Sequence, residues 1–371
     1  MKEITSWLHE SSYIEPLSPG CSMCARGSKL VVLITGLCPA SCFYCPLSFE
    51  KGGKDVIYAD EWKLKNEDDI ATLIQEARYI EAEGAGITGG DPLTKWERTI
   101  RYIDLLKSEF GSSFHIHLYT SGIENTDKIP DIIAAGLDEL RFHPPPNHWD
   151  DMEHSPLSSV ITKALETSSD IAIEIPVIPQ WQKQIIHLIK WAERQGVHWI
   201  NLNELEFSER NADNLEIKGF DVKDDISSAA INSQETAISI LQHVTLTDWN
   251  IGVHYCSSSF KDGIQLTNRI KRRAKNIARD IDIITEEGTI LKGIIEPPTG
   301  SSLLDLQKFL KDKFHLPSNT FFINEHQKRI EVHIDILEKL AQNLSRQGYR
   351  CFIIEEYPTA DKLEVERIPV P

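Results

Sequence analysis

Three cysteines fall within eight residues of this 371-residue chain, in Cys38-Pro39-Ala40-Ser41-Cys42-Phe43-Tyr44-Cys45, spaced C-x3-C-x2-C. Thiolates are the usual ligands of iron–sulfur clusters, and a cubane normally takes four. Three thiolates on one turn hold three irons and leave the fourth iron open to another ligand. Zinc loops favour C-x2-C pairs used twice, so this spacing points to iron–sulfur rather than zinc. The run Leu30-Val31-Val32-Leu33-Ile34 just before the turn reads as a fully buried strand. The thiols therefore sit on a loop at the C-terminal end of a strand, where α/β barrels keep their chemistry.

Other residues of the same kind flank the chain's middle. Cys21-x2-Cys24 precedes the apolar strand, and His254-Tyr255-Cys256 lies far downstream. Residues two apart on a strand share a face, so His254 and Cys256 can converge, and closure of a barrel would make its two ends neighbours. Cys21, Cys24 and Cys256 are expected to form a metal site, with His254 as a fourth ligand. A second [4Fe–4S] cluster and a Cys3His zinc both fit that count; the alternative is a free C-x2-C pair and a lone core Cys256. Cys351 lies in the apolar stretch 349–354 and reads as a core residue. Seven cysteines, an odd and clustered set, argue against a disulfide framework.

The elements that must position these groups alternate. Strand patterns at 30–34, 85–88, 114–119, 139–143, 171–178, 199–205 and 250–255 are separated by helical patterns at 66–82, 95–110, 127–135, 156–167, 182–195 and 233–244. Such alternation is the mark of parallel βαβ units. The expected fold is α/β: a partial (β/α)6 TIM-like barrel with a small C-terminal α+β domain. Residues 1–28 read as an irregular leader carrying the C-x2-C pair, 29–280 as the barrel and 281–371 as the second domain. The polar stretch 206–232 shows no period and reads as a long loop or lid.

The chain carries 39 Lys+Arg against 56 Asp+Glu, a net charge of −17. A generally nucleic-acid-coated surface is disfavoured, because basic groups dominate phosphate binding. One local exception is 267–280, where Arg269, Lys271, Arg272, Arg273, Lys275 and Arg279 crowd around Ile270, Ala274 and Ile277. It reads either as a solvated face or as a contact for RNA or a phosphorylated small molecule. The N-terminus has no apolar signal core, and no apolar run reaches the length of a membrane span. A soluble, cytoplasmic protein without a membrane partner is expected.

The C-x3-C-x2-C loop, with Tyr44 just before its last cysteine, resembles the signature of the radical S-adenosylmethionine (radical SAM) superfamily. Gly89-Gly90-Asp91-Pro92, one βα unit later, resembles that superfamily's Gly-Gly-Glu motif, with Asp91 in place of Glu. Together with Tyr119-Thr120-Ser121-Gly122 and Ile175-Pro176-Val177-Ile178-Pro179, roughly residues 30–205 are similar to glycyl-radical activating enzymes such as the pyruvate formate-lyase activating enzyme. The resemblance implies a [4Fe–4S] cluster on Cys38, Cys42 and Cys45, whose open iron binds SAM. It implies reductive cleavage of SAM to a 5′-deoxyadenosyl radical that takes a hydrogen atom from the substrate, fed by a low-potential electron donor. It places Tyr44, Gly89, Gly90, Asp91, Pro92, Thr120, Ser121 and Glu174 around SAM, with Arg141 and His143 facing the cavity. The substrate stays open between RNA or a nucleotide, a phosphorylated small molecule, and a partner protein that receives a glycyl radical. Outside catalysis, the alternative is an iron–sulfur electron-transfer or redox-sensing protein.

Overall fold

Residues 2–224 and 227–371 are described by the structure, a computed structural model. They fall into two units, Met1–Leu266 and Thr267–Pro371.

In the first unit, α1 (Pro19–Ala25) precedes seven parallel strands: β1 (Lys29–Leu33), β2 (Gly84–Thr88), β3 (His115–Thr120), β4 (Glu139–Phe142), β5 (Asp170–Val177), β6 (Trp199–Glu204) and β7 (Gly252–Cys256). Each strand pairs in parallel with the next in chain order. The helices α2 (Ile70–Tyr79), α3 (Trp96–Phe110), α4 (Ile129–Ala134), α5 (Pro156–Leu165), α6 (Gln182–Gln195) and α7 (Ser233–Thr245) return the chain between them. The result is six βα units and a last strand, an open arc of the partial-barrel type. Its edges are covered antiparallel, by Ser12–Ile14 on β7 and by Tyr58–Ala59 on β1, which blunts otherwise exposed strand edges.

The two faces of these strands differ. Ile116 and Leu118, Leu140 and Phe142, Ile173 and Ile175, Ile200 and Leu202, and Val253 and Tyr255 are all buried in the core. The alternate positions carry His117, Glu139, Arg141, Asn201, His254 and Cys256, which are buried too. Period two puts these polar side chains on the opposite face, the lumen of the arc. Helices supply the outer layer: α3 buries Thr99, Tyr102, Ile103 and Leu106 at helical spacing. Each fully buried Leu or Ile stabilises this layer by about 1.5–3 kcal/mol.

The first 28 residues are part of this barrel rather than an irregular leader. Pro19 opens α1 and the Ser18 hydroxyl accepts from Gly20 N at 3.1 Å, a regular N-cap. The helix packs against β1, β2 and β3. The stretch 206–232 also has more structure than a free lid. It contains a short helix, Ala212–Ile217, with Leu215 buried, and backbone bridges Glu206–Ala229 and Val222–Ala230. Asp225 and Ile226 of that stretch lie outside the described residues.

The second unit holds α8 (Thr267–Ile277), β8 (Ile290–Glu296), α9 (Leu303–Phe314), β9 (Phe321–Asn324), β10 (Arg329–Val332), α10 (Ile334–Ser345), β11 (Arg350–Glu356) and β12 (Glu364–Val370). Its antiparallel sheet runs β9-β10-β8-β11-β12, with Leu306, Leu310, Leu337, Leu344 and Cys351 in the core. The basic helix, expected at the end of the barrel, folds here because Ile270 and Ala274 are buried in it. Arg273 is buried and donates to the Pro358 carbonyl. Arg279 pairs with Asp282 and Glu331. Two of the cations expected to face a phosphate are therefore engaged within the protein. No helix among the described residues is long and apolar enough to cross a membrane.

Candidate functional site

The cysteine loop leaves β1 and is fastened at once to the turn after β2. Gly90 N donates to Thr35 O at 2.7 Å, and Asp91 N donates to Leu37 O at 2.8 Å. The two backbones touch so closely that no side chain fits between them. A Cβ on Gly90 would lie 2.2 Å from Leu37 O, and one on Gly89 2.2 Å from Thr35 O. Gly89 also has φ of +151°, a value that favours glycine. Within the loop, Cys38 is exposed and Cys42 and Cys45 are half-buried. The three sulfurs do not all lie within 4.8 Å of one another. A single tetrahedral ion with 2.3 Å bonds would need sulfurs about 3.8 Å apart, whereas a cubane caps a separate iron with each thiolate and holds them wider. The donor set fits a cluster.

Tyr44 anchors this loop to the lumen. Its hydroxyl lies 2.8 Å from His143 Nε2, and His143 Nδ1 lies 2.7 Å from the Glu174 carbonyl. A carbonyl only accepts, so Nδ1 carries the hydrogen and Tyr44 donates to Nε2. Burial holds His143 below the usual histidine range and pushes the Tyr44 hydroxyl far above its own. Both stay neutral. Asn211, at the start of the short helix, donates to Tyr44 O at 3.0 Å from the other side.

The side chains expected around SAM are otherwise engaged. The Asp91 carboxylate is fully buried and accepts from Thr120 Oγ1 (2.9 Å), Ser121 N (3.0 Å), Leu93 N (3.0 Å) and the Ser121 hydroxyl. Burial pushes its pKa up, against the pull of those donors. Asp91, Thr120 and Ser121 thus form one closed set, with Pro92 buried as the next residue. What this turn leaves toward the cluster loop is backbone. Glu174 stands two strands away from Thr120, in the lumen, and accepts from Arg141 (2.7 Å), Asn201 (3.0 Å) and Asn203 (2.8 Å). Burial pushes its carboxyl up, but Arg141 and the two amides outweigh it and leave the pKa lowered.

Arg141 is the centre of the lumen. It donates to Glu139 (2.6 Å), Glu174 and Ser18 (2.9 Å), and lies 3.6 Å from Cys21 Sγ. At the lower end, ligand atoms of His115, His117 and Glu139 cluster within 4.8 Å. The Lys29 ammonium sits 2.8 Å from His115 Nδ1, and Gly20 packs so tightly that a Cβ there would be 2.7 Å from His117 Nδ1. Two cations and α1 fill the space an ion would need. Burial lowers Lys29 to about 8 and His115 to about 4. Asn201, Asn203, Lys29 and Glu139 were not singled out from sequence. The available signal was their alternation with apolar residues along single strands.

The thiols from the two ends of the barrel approach each other. Cys21 lies 3.6 Å from Asn201 Oδ1. In the β6–β7 register Asn201 faces His254, and Asn203 faces Cys256. Cys256 also feels the Cys21 and Cys24 thiols electrostatically. Burial pushes Cys21 up to about 12, and Cys256 higher still. His254 is 4% exposed, and neither ring nitrogen has a hydrogen-bond partner among the described residues.

Residues 32–171 match the Radical SAM superfamily model, and residues 288–370 match a domain of unknown function, DUF8061. A Methanocaldococcus jannaschii protein named "Putative glycyl-radical enzyme activating enzyme" is 37% identical over 379 aligned residues, covering 100% of this chain and 96% of its own length. Streptococcus suis SuiB bound to S-adenosylmethionine aligns with a TM-score of 0.41 at 11% identity, over 62% of this chain and 50% of SuiB. SuiB bound to its precursor peptide SuiA gives 0.42 at 11% identity, over 64% and 51%. This chain thus spans about half the length of SuiB. Kinship to the methanogen protein along the whole chain, with the superfamily match across the cysteine loop, identifies the chain as a radical SAM enzyme, a member of the superfamily that works with a [4Fe–4S] cluster and SAM.

Proposed function

We propose that this enzyme activates a partner protein by taking a hydrogen atom from a glycine Cα, with Cys38, Cys42 and Cys45 as the ligands of its SAM-binding cluster. The observation that carries the reading is the 37% identity, over the full chain, to a protein named as a glycyl-radical enzyme activating enzyme. When bound, the cluster and SAM supply the reductive cleavage and the 5′-deoxyadenosyl group that accepts the hydrogen atom. The electron comes from a low-potential donor.

The chain's own residues supply placement. The backbone of Gly89 and Gly90 and the backbone at Tyr44 line the SAM position. Asp91, Thr120 and Ser121 hold the glycine turn from behind rather than touching SAM. The Tyr44–His143 bond fixes the last thiol of the loop against the barrel. Arg141, Glu174 and α1 close the lumen below the loop and keep bulk water from it. A substrate is then met at the rim, where Cys38 is exposed and Phe49 is 60% exposed, as suits a macromolecule. The Cys21, Cys24 and Cys256 thiols serve a second cofactor, iron–sulfur or zinc. RNA is the weaker substrate reading, because Arg273 and Arg279 are engaged inside the second unit.

The test uses lysate from source cells grown on glycine deuterated at Cα and fractionated into protein, RNA and small molecules. Each fraction is incubated anaerobically with reconstituted enzyme, SAM and reductant, and 5′-deoxyadenosine is analysed by mass spectrometry. Deuterium in the product from the protein fraction supports the reading. Substrate-dependent product from the RNA or small-molecule fraction alone refutes it.

A further inference from the structure

The lumen of the barrel contains an unexplained set of groups. Cys21 and Cys24 lie one turn apart on α1, so they share a face of that helix. Cys256 ends β7 on the face it shares with His254. The Cys21 thiol touches Asn201, whose strand neighbour in register is His254. His254 is the most telling member. Buried polar atoms in folded proteins nearly always find a hydrogen-bond partner, yet both of its nitrogens have none. A buried imidazole with no partner of its own, on the strand face that also carries the buried Cys256 thiol, has a nitrogen free to take a ligand.

We infer that Cys21, Cys24, Cys256 and His254 hold a second iron–sulfur cluster inside the barrel. A single zinc is the competing occupant of a Cys3His set. Zinc needs sulfurs about 3.8 Å apart, but the Cys21, Cys24 and Cys256 sulfurs do not all lie within 4.8 Å of one another. Four protein ligands close the cluster. It has no iron open to SAM, unlike the cluster at the rim. This inference rests on assigning the first cluster to Cys38, Cys42 and Cys45.

The full chain is reconstituted anaerobically with iron and sulfide, with zinc also offered, and its metals are counted. About eight irons and no zinc are expected. A Cys21→Ala/Cys24→Ala/Cys256→Ala variant keeps about four irons, and adding SAM changes its reduced electron-paramagnetic-resonance spectrum. A Cys38→Ala/Cys42→Ala/Cys45→Ala variant also keeps about four, and SAM leaves its spectrum unchanged. In that second background the reduced cluster shows nitrogen hyperfine coupling, which His254→Ala removes. About four irons in the wild type, or one zinc lost with the lumen cysteines, overturns the inference, and that count does not depend on how any variant folds. Coupling that persists in His254→Ala overturns the role of His254. If the rim triple variant leaves all iron in place while the lumen triple removes it, the assignment of the first cluster fails and the lumen site stands.

Discussion

Gly90→Ala is a one-carbon change whose effect can be worked from the structure. The new Cβ would lie 2.2 Å from Leu37 O, 2.5 Å from Leu37 C and 2.8 Å from Gly36 O. All three atoms are backbone, so no side chain can turn aside. Ordinary contact begins near 3.4 Å, so the two backbones must part by about 1.2 Å. The same movement breaks the Gly90 N to Thr35 O and Asp91 N to Leu37 O bonds. Overpacking of this kind costs about 1–3 kcal/mol, and a misplacement of about 1 Å at a reacting centre costs on the order of a hundredfold in rate. Leu37 precedes the first cluster ligand, so the displacement passes directly to Cys38. The assay is 5′-deoxyadenosine formation by reconstituted enzyme with excess dithionite and SAM, beside the iron content. The expected result is a loss of on the order of a hundredfold in rate, with the lumen cluster retained. A Gly90→Ala enzyme with wild-type rate and iron content would show that the glycine turn does not set the position of the cysteine loop.

Four further outcomes follow from the same contacts. His143→Phe takes the Nε2 acceptor from the buried Tyr44 hydroxyl and leaves it the Cys42 side chain, a cost of about 0.5–1.5 kcal/mol; the rim cluster's reduction potential and SAM-dependent spectrum should both shift, and unchanged values would remove Tyr44–His143 from the loop's support. His117 is held neutral by burial beside Lys29 and Arg141, while the unfolded chain protonates it near 6.5. The unfolded state therefore binds more protons below that pH, and stability falls as pH drops, by about 1.4 kcal/mol at pH 5.5 from this group; His117→Gln should flatten thermal stability measured between pH 7.5 and 5.5, and an unchanged slope would contradict the assignment. Gly20→Ala drives a methyl into His117 and Arg141, so α1 should loosen and the lumen iron should be lost with the rim iron kept; full retention of both would mean α1 is not seated as described. In the second unit, Arg329→Met removes one cation from Glu331 and Glu356, which are buried and keep Arg279 and Lys292; losing a charged hydrogen-bond partner costs about 1.5–3 kcal/mol, read as faster hydrogen exchange across Arg350–Glu356, and unaltered exchange would contradict it.

The cysteine loop and the glycine turn were legible because their chemistry lies in residue type and spacing along one short stretch. The βα alternation was legible because the outer strand faces, such as Ile116 and Leu118, are apolar up to their C-terminal ends, where Thr120 and Glu204 stand. The inner faces were not. His115, His117 and Tyr119, or Asn201 and Asn203, look like polar interruptions until the arc curls and makes their side a buried lumen. The leader was misread for a related reason. Pro19 and Gly20 look like breakers, but Pro19 is the first residue of α1 and Gly20 is where α1 presses against His117 and Arg141. The basic helix shows the limit of charge counting. Arg273 and Arg279 find their partners, the Pro358 carbonyl and Glu331, far along the chain. The mutual hydrogen bonds of Asp91, Thr120 and Ser121, across two strand ends, are invisible in sequence order.

Cys38, Cys42 and Cys45 are the proposed ligands of the cluster that cleaves SAM. The most direct measurement is the yield of 5′-deoxyadenosine and methionine from SAM under dithionite. It compares the wild type with the Cys38→Ala/Cys42→Ala/Cys45→Ala and Cys21→Ala/Cys24→Ala/Cys256→Ala variants. Equal amounts of the two products are expected from the wild type, none above background from the rim variant, and retained cleavage in the lumen variant. Cleavage that survives loss of Cys38, Cys42 and Cys45 would contradict it.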